Sequence, residues 1–472
     1  MKFHLLRRSV AATCLLATLA LTTTAKGAGQ ALTSARKAGD TDKVEATLEI
    51  GGTLKMVGES GVEKLKMTAS GTAKYHEKLF QRATPDWVKL RALREYEACA
   101  ATIQVEQRTT TPTLRPDRAS IVVAGQEKVL QLFGVDGPLT RDELELIELP
   151  CNTAILDELL PAKPVAAGDT WEHSAELTAA LFGLDAAGVS DLKSKLMKVE
   201  GNAATIELNG QIQGAIKGVT TKIDVKARYK FDLKSKRVTW VGLLLKEDRS
   251  IGHVGPGMEV TAKLQITIQP GAKHEKLAAM NDAGALQELA PEHAMLEYEP
   301  PQGYYRLLYD RRWHVMTDEP NLVSMRLVDR GELLAQAKVS TPVGASHTQT
   351  ATIQAFQQEI QKSLEEEFGQ FVESTTSENS LGVTTHRVVV HGVVSDLPIE
   401  WRYYLLVGPA GRQVVVAFTL EEEQASRFGN ADETLIDCLE FNKPQPGETA
   451  KTVRLKVPVS DDTAQTIRLK VR

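Results

Sequence analysis

The most distinctive chemistry in this chain lies in one segment, LPAKPVAAGDTWEH, which ends at His173. Asp169 there could act as a base or a ligand. It follows Gly168, however, and an aspartate in a Gly-Asp turn commonly bonds its own backbone. Asp169 is therefore read as turn chemistry and Trp171 as a core anchor. His386 and His391 lie five residues apart in an apolar run. On a strand, period two puts them on opposite faces, so they cannot hold one metal together. His314 stands beside Trp313 as a lone histidine at a strand start, and a solvated or core-satisfied histidine is the preferred reading, since a general base needs a partner acid and a nucleophile in reach. The chain contains no GxSxG, HExxH or phosphate-binding glycine loop. A triad converging from distant residues is compatible with this sequence.

A second cluster could serve recognition. Tyr304, Tyr305 and Tyr309 precede Asp310-Arg311-Arg312-Trp313. Tyr309, Arg311, Arg312 and Trp313 form a candidate interaction patch for a protein or a membrane surface. A solvated charged edge is the plainer and preferred reading. Of four cysteines, Cys14 lies in the leader, and Cys99 and Cys151 could form one disulfide. The preferred alternative is that Cys99, Cys151 and Cys438 are small buried thiols. No CxxC or Cys/His spacing points to a metal, and no cofactor is implied.

The elements that must position these residues are legible from periodicity. In KIDVKARYKFDL, Ile223, Val225, Ala227, Tyr229 and Phe231 alternate with Lys222, Asp224, Lys226, Arg228 and Lys230. Val260 to Ile268, Val44 to Ile50 and Leu65 to Ala69 repeat the pattern. One dry and one wet face predict an antiparallel sheet. The segment 139–161 would cover the dry face: Thr140 caps a helix, Asp142 and Glu143 suit its first turn, and Pro150 and Pro161 break it. A further helical piece is expected near Ala175–Leu184.

Six segments follow from this reading. Residues 1–27 are expected to be a secretory signal peptide, with Lys2, Arg7 and Arg8 before an apolar run of about a dozen residues, short of the roughly 20 needed to span a bilayer. Cys14 lies inside that run, where a lipidated cysteine would not be. Residues 28–42 form a flexible lead-in, 43–270 the β-rich domain, and 271–302 a partly helical linker. Residues 303–442 form a second domain, with strands near 313–316, 323–328, 333–339, 386–394, 399–407 and 413–420. Its long helix carries Ile353, Phe356, Ile360, Leu364 and Phe368 in one stripe, and a closing helix covers 430–441. The remainder, 443–472, is a tail with the near-copies TVRLKV and TIRLKV.

Composition bounds the function classes. The chain has 472 residues, 25% charged and 5% aromatic, with a formal charge of −5. There is no long basic run, which argues against nucleic acid. Sparse aromatics argue against a base-stacking or carbohydrate-binding surface. The fold class expected is α+β: a large curved antiparallel sheet with short helices, then a smaller α/β sandwich.

Two resemblances accompany these patterns. RRWHV, NLVSMRL, LLAQAKVS, the TIQAFQQEIQKSLEEEF helix, and the later strands and helix, over roughly 303–442, resemble the PsbP/DcrB-like α/β/α sandwich. That family is mostly exported accessory and binding proteins, and no functional residue carries over. Region 43–270 is similar in outline to LolA/LppX-like half-barrels, which can hold acyl chains between sheet and helices. It also resembles uncharacterised exported bacterial proteins with a PxKPVxxGDTW segment. If Leu and Ile from 144–159 fill the interior, no ligand enters it.

The function expected is that of an exported, non-enzymatic protein in the periplasm or outside the cell, with no transmembrane segment in the mature chain. It would bind an envelope partner or an apolar, lipid-like ligand. The alternative is an exported hydrolase with a nonlocal site at the domain interface.

Overall fold

The computed structural model describes residues 29–58, 60–82, 89–126, 129–280, 291–341 and 352–442. The signal-peptide and tail segments lie outside the described residues. The alternating segments form one thirteen-stranded antiparallel sheet. Its order is Val129–Gly134, Ser120–Gln126, Arg91–Val105, Gly61–Gln81, Thr41–Gly58, Gly257–Pro270, Arg237–Arg249, Val219–Asp232, Ala203–Ile216, Lys193–Glu200, Thr170–Glu172. Short strands Arg108–Thr110 and Ala186–Ser190 join at the sides. The first long strand pairs with the last, Val44 opposite Ile268 and Ile50 opposite Ala262, which joins two meanders into one surface. The sheet is open, and no closed barrel forms.

Its dry face is covered as the sequence suggests. Helix α1 (Arg141–Ile147) starts at Thr140 in a capping box: the Thr140 side chain accepts from the Glu143 amide, and the Glu143 carboxylate accepts from Thr140 N–H. A 3₁₀ turn follows at Thr153–Leu159, then α2 (Ala175–Phe182), which stops at Gly183 in the left-handed conformation. Leu144, Ile147, Ile155, Leu156, Leu159, Leu177 and Leu181 are all buried against Val44, Tyr75, Ile206, Tyr229 and Leu264. The protein's own side chains therefore occupy the concave side.

Residues 29–40 correct the expectation of a flexible lead-in. Leu32 is buried, Gln30 bridges to Val165, and the buried Arg36 pairs with Glu77 at 2.7 Å. An apolar anchor and a buried ion pair hold this stretch where its small polar composition suggested a loose end.

Helix α3 (Glu275–Ala279) leaves the large sheet, and the strand Leu296–Tyr298 then joins Tyr305–Tyr309 and Leu439–Phe441 in a three-stranded sheet. The last of these strands replaces the end of the expected closing helix. That region is instead α5 (Ala425–Phe428) and α6 (Ala431–Asp437), numbered after α4 (Ile353–Leu364). The seven-stranded sheet runs Trp313–Glu319, Leu322–Asp329, Glu332–Ser340, Gln413–Glu421, Leu397–Val407, Thr384–Val394, Phe368–Glu378. Phe356, Ile360 and Leu364 of α4 pack on one face with Val388, Val390, Trp401 and Tyr403. The other face packs on α5, α6 and the three-stranded sheet.

The two sheets share one apolar core, which runs from Val44 and Leu264 through Leu296 to Trp313, Met325 and Phe418. Polar ties cross the same boundary. Arg115 bonds Glu143 at 2.6 Å and also pairs with Glu297. Arg326 donates to the His253 carbonyl at 2.7 Å. Two hairpin turns meet backbone to backbone at Gly218 (φ 72°) and Gly331 (φ 85°), so close that a Cβ on Gly218 would lie 2.0 Å from the Gly331 Cα.

Candidate functional site

The GDTW segment is built as turn chemistry. The Asp169 carboxylate accepts from the Ala166 amide at 2.9 Å, and Trp171 Nε1 donates to the Leu159 carbonyl at 2.8 Å. The segment ends in a hydrogen-bond chain that the sequence did not reveal. His173 Nε2 meets Ser194 Oγ at 2.8 Å, Ser194 meets the Tyr229 hydroxyl at 3.1 Å, and Tyr229 donates to Leu159 O at 3.0 Å. Burial holds His173 down at about 4. Ser194 and Tyr229 are buried, so this His–Ser contact satisfies interior polar atoms and offers no open face to a substrate.

A buried ionic cluster lies among the lead-in, the sheet and the 3₁₀ turn. Glu77 accepts from Arg36 at 2.7 Å, Arg94 Nε at 2.8 Å and Thr153 Oγ1 at 2.8 Å. Burial alone would raise its carboxyl, but Arg94 and Arg36 outweigh that and hold it at about 2. Arg36 also reaches Asp42 at 3.2 Å, and Asp42 pairs with Arg237. Each of these charged groups is under one-tenth exposed, so the cluster works as a fastening.

The candidate interaction patch is dispersed. Tyr309 and Trp313 are each 2% exposed. The strand Tyr305–Tyr309 sits between two partners and turns its aromatic side into the core. Arg311 stacks on Phe133, 5.0 Å from its ring, and donates to the carbonyls of Leu132 at 2.5 Å and Ala294 at 2.9 Å. Only Arg312 is exposed, and it pairs with Asp310 at 3.0 Å. The Cys99–Cys151 disulfide is not formed: both are free thiols, and burial pushes each up to about 12.

The histidines of the second domain separate as strand periodicity requires. His386 is buried and meets Thr376 Oγ1 at 2.8 Å. His391, on the opposite face, meets Glu400 at 3.0 Å. Glu400 continues to Arg402 (2.6 Å), Arg402 to Asp432 (2.8 Å), and Asp432 to the Tyr404 hydroxyl (2.6 Å). This chain ties α6 to the sheet. Burial, then Arg141 and Lys217, hold His314 down at about 3, so it is neutral at ordinary pH. Among the described residues no group of three or more His, Cys, Asp or Glu could hold a metal.

A more open site lies on the wet face of the large sheet. A trough of about 680 Å³ crosses strands 203–216, 219–232, 237–249, 257–270 and 41–58. Cross-strand register builds it in rows. One row runs Glu49, Lys263, Leu244, Lys226, Asn209. The next runs Thr47, Gln265, Gly242, Arg228, Glu207. Gly242 leaves a gap in its row, and the Trp240 ring lies across it: a Cβ at Gly242 would meet Trp240 Cη2 at 2.5 Å. Lys230 Nζ sits 5.3 Å from the center of the Trp240 ring. Arg228 is paired with Glu207 at 2.6 Å, whereas Lys226, Lys230 and Lys263 have no carboxylate in ion-pair range among the described residues.

No known family model matches the chain, and no curated protein matches it. Among solved structures it is similar to the cyanobacterial PsbP protein CyanoP from Synechocystis sp. PCC 6803, 15% identical over 32% of this chain and 93% of that one, TM-score 0.24. It is also similar to PA94 from Pseudomonas aeruginosa, a protein of unknown function, 11% identical over 33% of this chain and 99% of that one, TM-score 0.22. A structure of lipovitellin with lipid–protein interactions is 7% identical over 54% of this chain and 29% of that one, TM-score 0.27. None reaches a TM-score of 0.5, so nothing about ligand or activity passes from them to this chain.

Proposed function

We propose that this is a non-enzymatic binding protein that recognises its partner on the outer face of the large sheet. One observation carries this reading: the concave side is filled by Leu144, Ile155, Leu159 and their neighbours, while the trough around Trp240 stands open on the other side. The volume of the trough is in the range of binding sites, and eight of its fourteen lining residues are polar or charged, set around Trp240 and Leu244. The ionisable groups that sit close together elsewhere, around Glu77 and around Asp432, are buried and mutually paired, which favours binding over hydrolysis. Export to the periplasm or beyond belongs to the same proposal and rests on residues 1–27 alone.

Site-specific photocrosslinking in the native envelope tests this. A benzophenone amino acid at Gln265, in the trough, should give a discrete adduct. The same group at Gln104, exposed on another strand, should not. Equal labelling at both positions, or none at Gln265, would refute the reading. A fluorescent acyl-chain probe should show no saturable uptake by the purified protein, and stoichiometric uptake would return the ligand to the interior.

A further inference from the structure

We infer that the trough binds an acidic oligosaccharide, a linear chain of sugar rings carrying carboxylate groups. The inference rests on the binding face proposed above and names its ligand class. Shape is the first ground. The trough crosses five strands, which at the usual strand spacing of about 4.8 Å gives a path of about 19 Å. It is floored at Gly242 and Gln265, with the six-membered edge of the Trp240 ring in the space above Gly242. Such a path suits a chain of rings better than a compact solute.

The lining chemistry is the second ground. Asn209 and Gln265 each offer a donor and an acceptor, Thr47 a hydroxyl, and Glu49 and Glu207 acceptors. Arrays of sugar hydroxyls need both kinds of group. A nucleic-acid backbone presents few donors to meet acceptors such as Glu49 and Glu207, so these carboxylates count against it. Lys226 and Lys263 flank Leu244 in the same row, and the strand beyond Asn209 and Glu207 adds Lys195 and Lys193, the latter paired with Glu172 at 2.9 Å. All four lysines are exposed. They make a local positive field on a chain with formal charge −5. That field complements carboxylates spaced along a chain. A low aromatic content does not oppose this, because one ring is enough where the sheet register sets it across a glycine gap.

The test is isothermal titration of the full-length mature protein with a galacturonate tetramer and with maltotetraose, a neutral chain of equal length. The acidic chain should bind at least tenfold more tightly and weaken with added salt. Trp240→Ala and the double variant Lys226→Glu/Lys263→Glu should each lose tenfold or more, with unchanged far-ultraviolet circular dichroism. Because all three positions are on the wet face, a folded variant that binds like the wild type overturns the proposal. Equal binding of both sugars, or binding of neither, also overturns it. So does binding of phosphatidylglycerol vesicles without binding of the galacturonate tetramer. If the sugars fail while crosslinking at Gln265 still gives a discrete adduct, the binding face stands and only its ligand class is lost.

Discussion

Glu77 keeps its charge inside the protein because Arg36 and Arg94 face it from two sides and Thr153 fills a further acceptor position. Removing one member of such a group strands the others. Glu77→Gln should cost roughly 3–5 kcal/mol, read as a shift in the urea midpoint at constant slope. The same residue fixes an acid limit. Its folded value of about 2 is below the ordinary 4.5, so its contribution is complete above pH 4.5 and is lost as pH falls toward 2. His173 acts in an earlier window. Its folded value of about 4 is below the ordinary 6.5, so the folded state binds fewer protons there. Stability should decline as pH falls from 6.5 to 4. His173→Asn should flatten that upper decline and leave the lower one, and urea midpoints from pH 7 to pH 2 would check both. An unchanged profile in His173→Asn would place the acid sensitivity elsewhere.

At the scale of elements, periodicity was a good guide wherever one face is dry. Ile223 to Phe231 and Val260 to Ile268 alternate in the sequence and pair in the sheet. The helix carrying Ile353, Phe356, Ile360 and Leu364 packs that stripe on the sheet, but it ends at Leu364, and Phe368, expected to continue it, opens the strand Phe368–Glu378 instead. Ile360→Ala should cost about 2–5 kcal/mol, since the side chain is fully enclosed. Strand Phe368–Glu378 escapes periodicity for the same physical reason: it is an edge strand exposed along most of its length, with only Phe368 and Phe371 partly buried, so burial imposes no alternation on it. Leu439–Phe441 reads as the end of a helix because its pairing partner, Tyr305–Leu307, lies more than a hundred residues away. The trough was out of reach of local reading too. Its charges were visible in KIDVKARYKFDL, but Trp240, Gly242, Lys263 and Glu49 come together only through register. The patch at Tyr309 and Trp313 failed in the opposite sense, because sequence shows aromatic content and not whether a strand is covered on both sides.

At the scale of the whole molecule, the continuous core from Val44 to Phe418 joins the two sheets, so they should unfold together. Calorimetry should show a single unfolding transition. Two resolved transitions would mean that Arg115, Arg311 and the shared apolar contacts do not couple the halves. Gly331→Val should break the coupling first, because Gly331 has φ 85° and its turn has no room for a side chain against Gly218. The expected readout is a lower midpoint or a split transition.

The meeting of those two turns also bears on how fast a partner can be captured. The Gly218–Gly331 contact and the Arg115–Glu297 pair join the halves at two places, and the trough lies within one sheet and not between the halves, so binding there should need no movement of one half against the other. Recognition there is a collision with a surface already in shape. Observed association rates should rise linearly with partner concentration, without the plateau that a slow conformational step imposes, and should be faster at low ionic strength than at high.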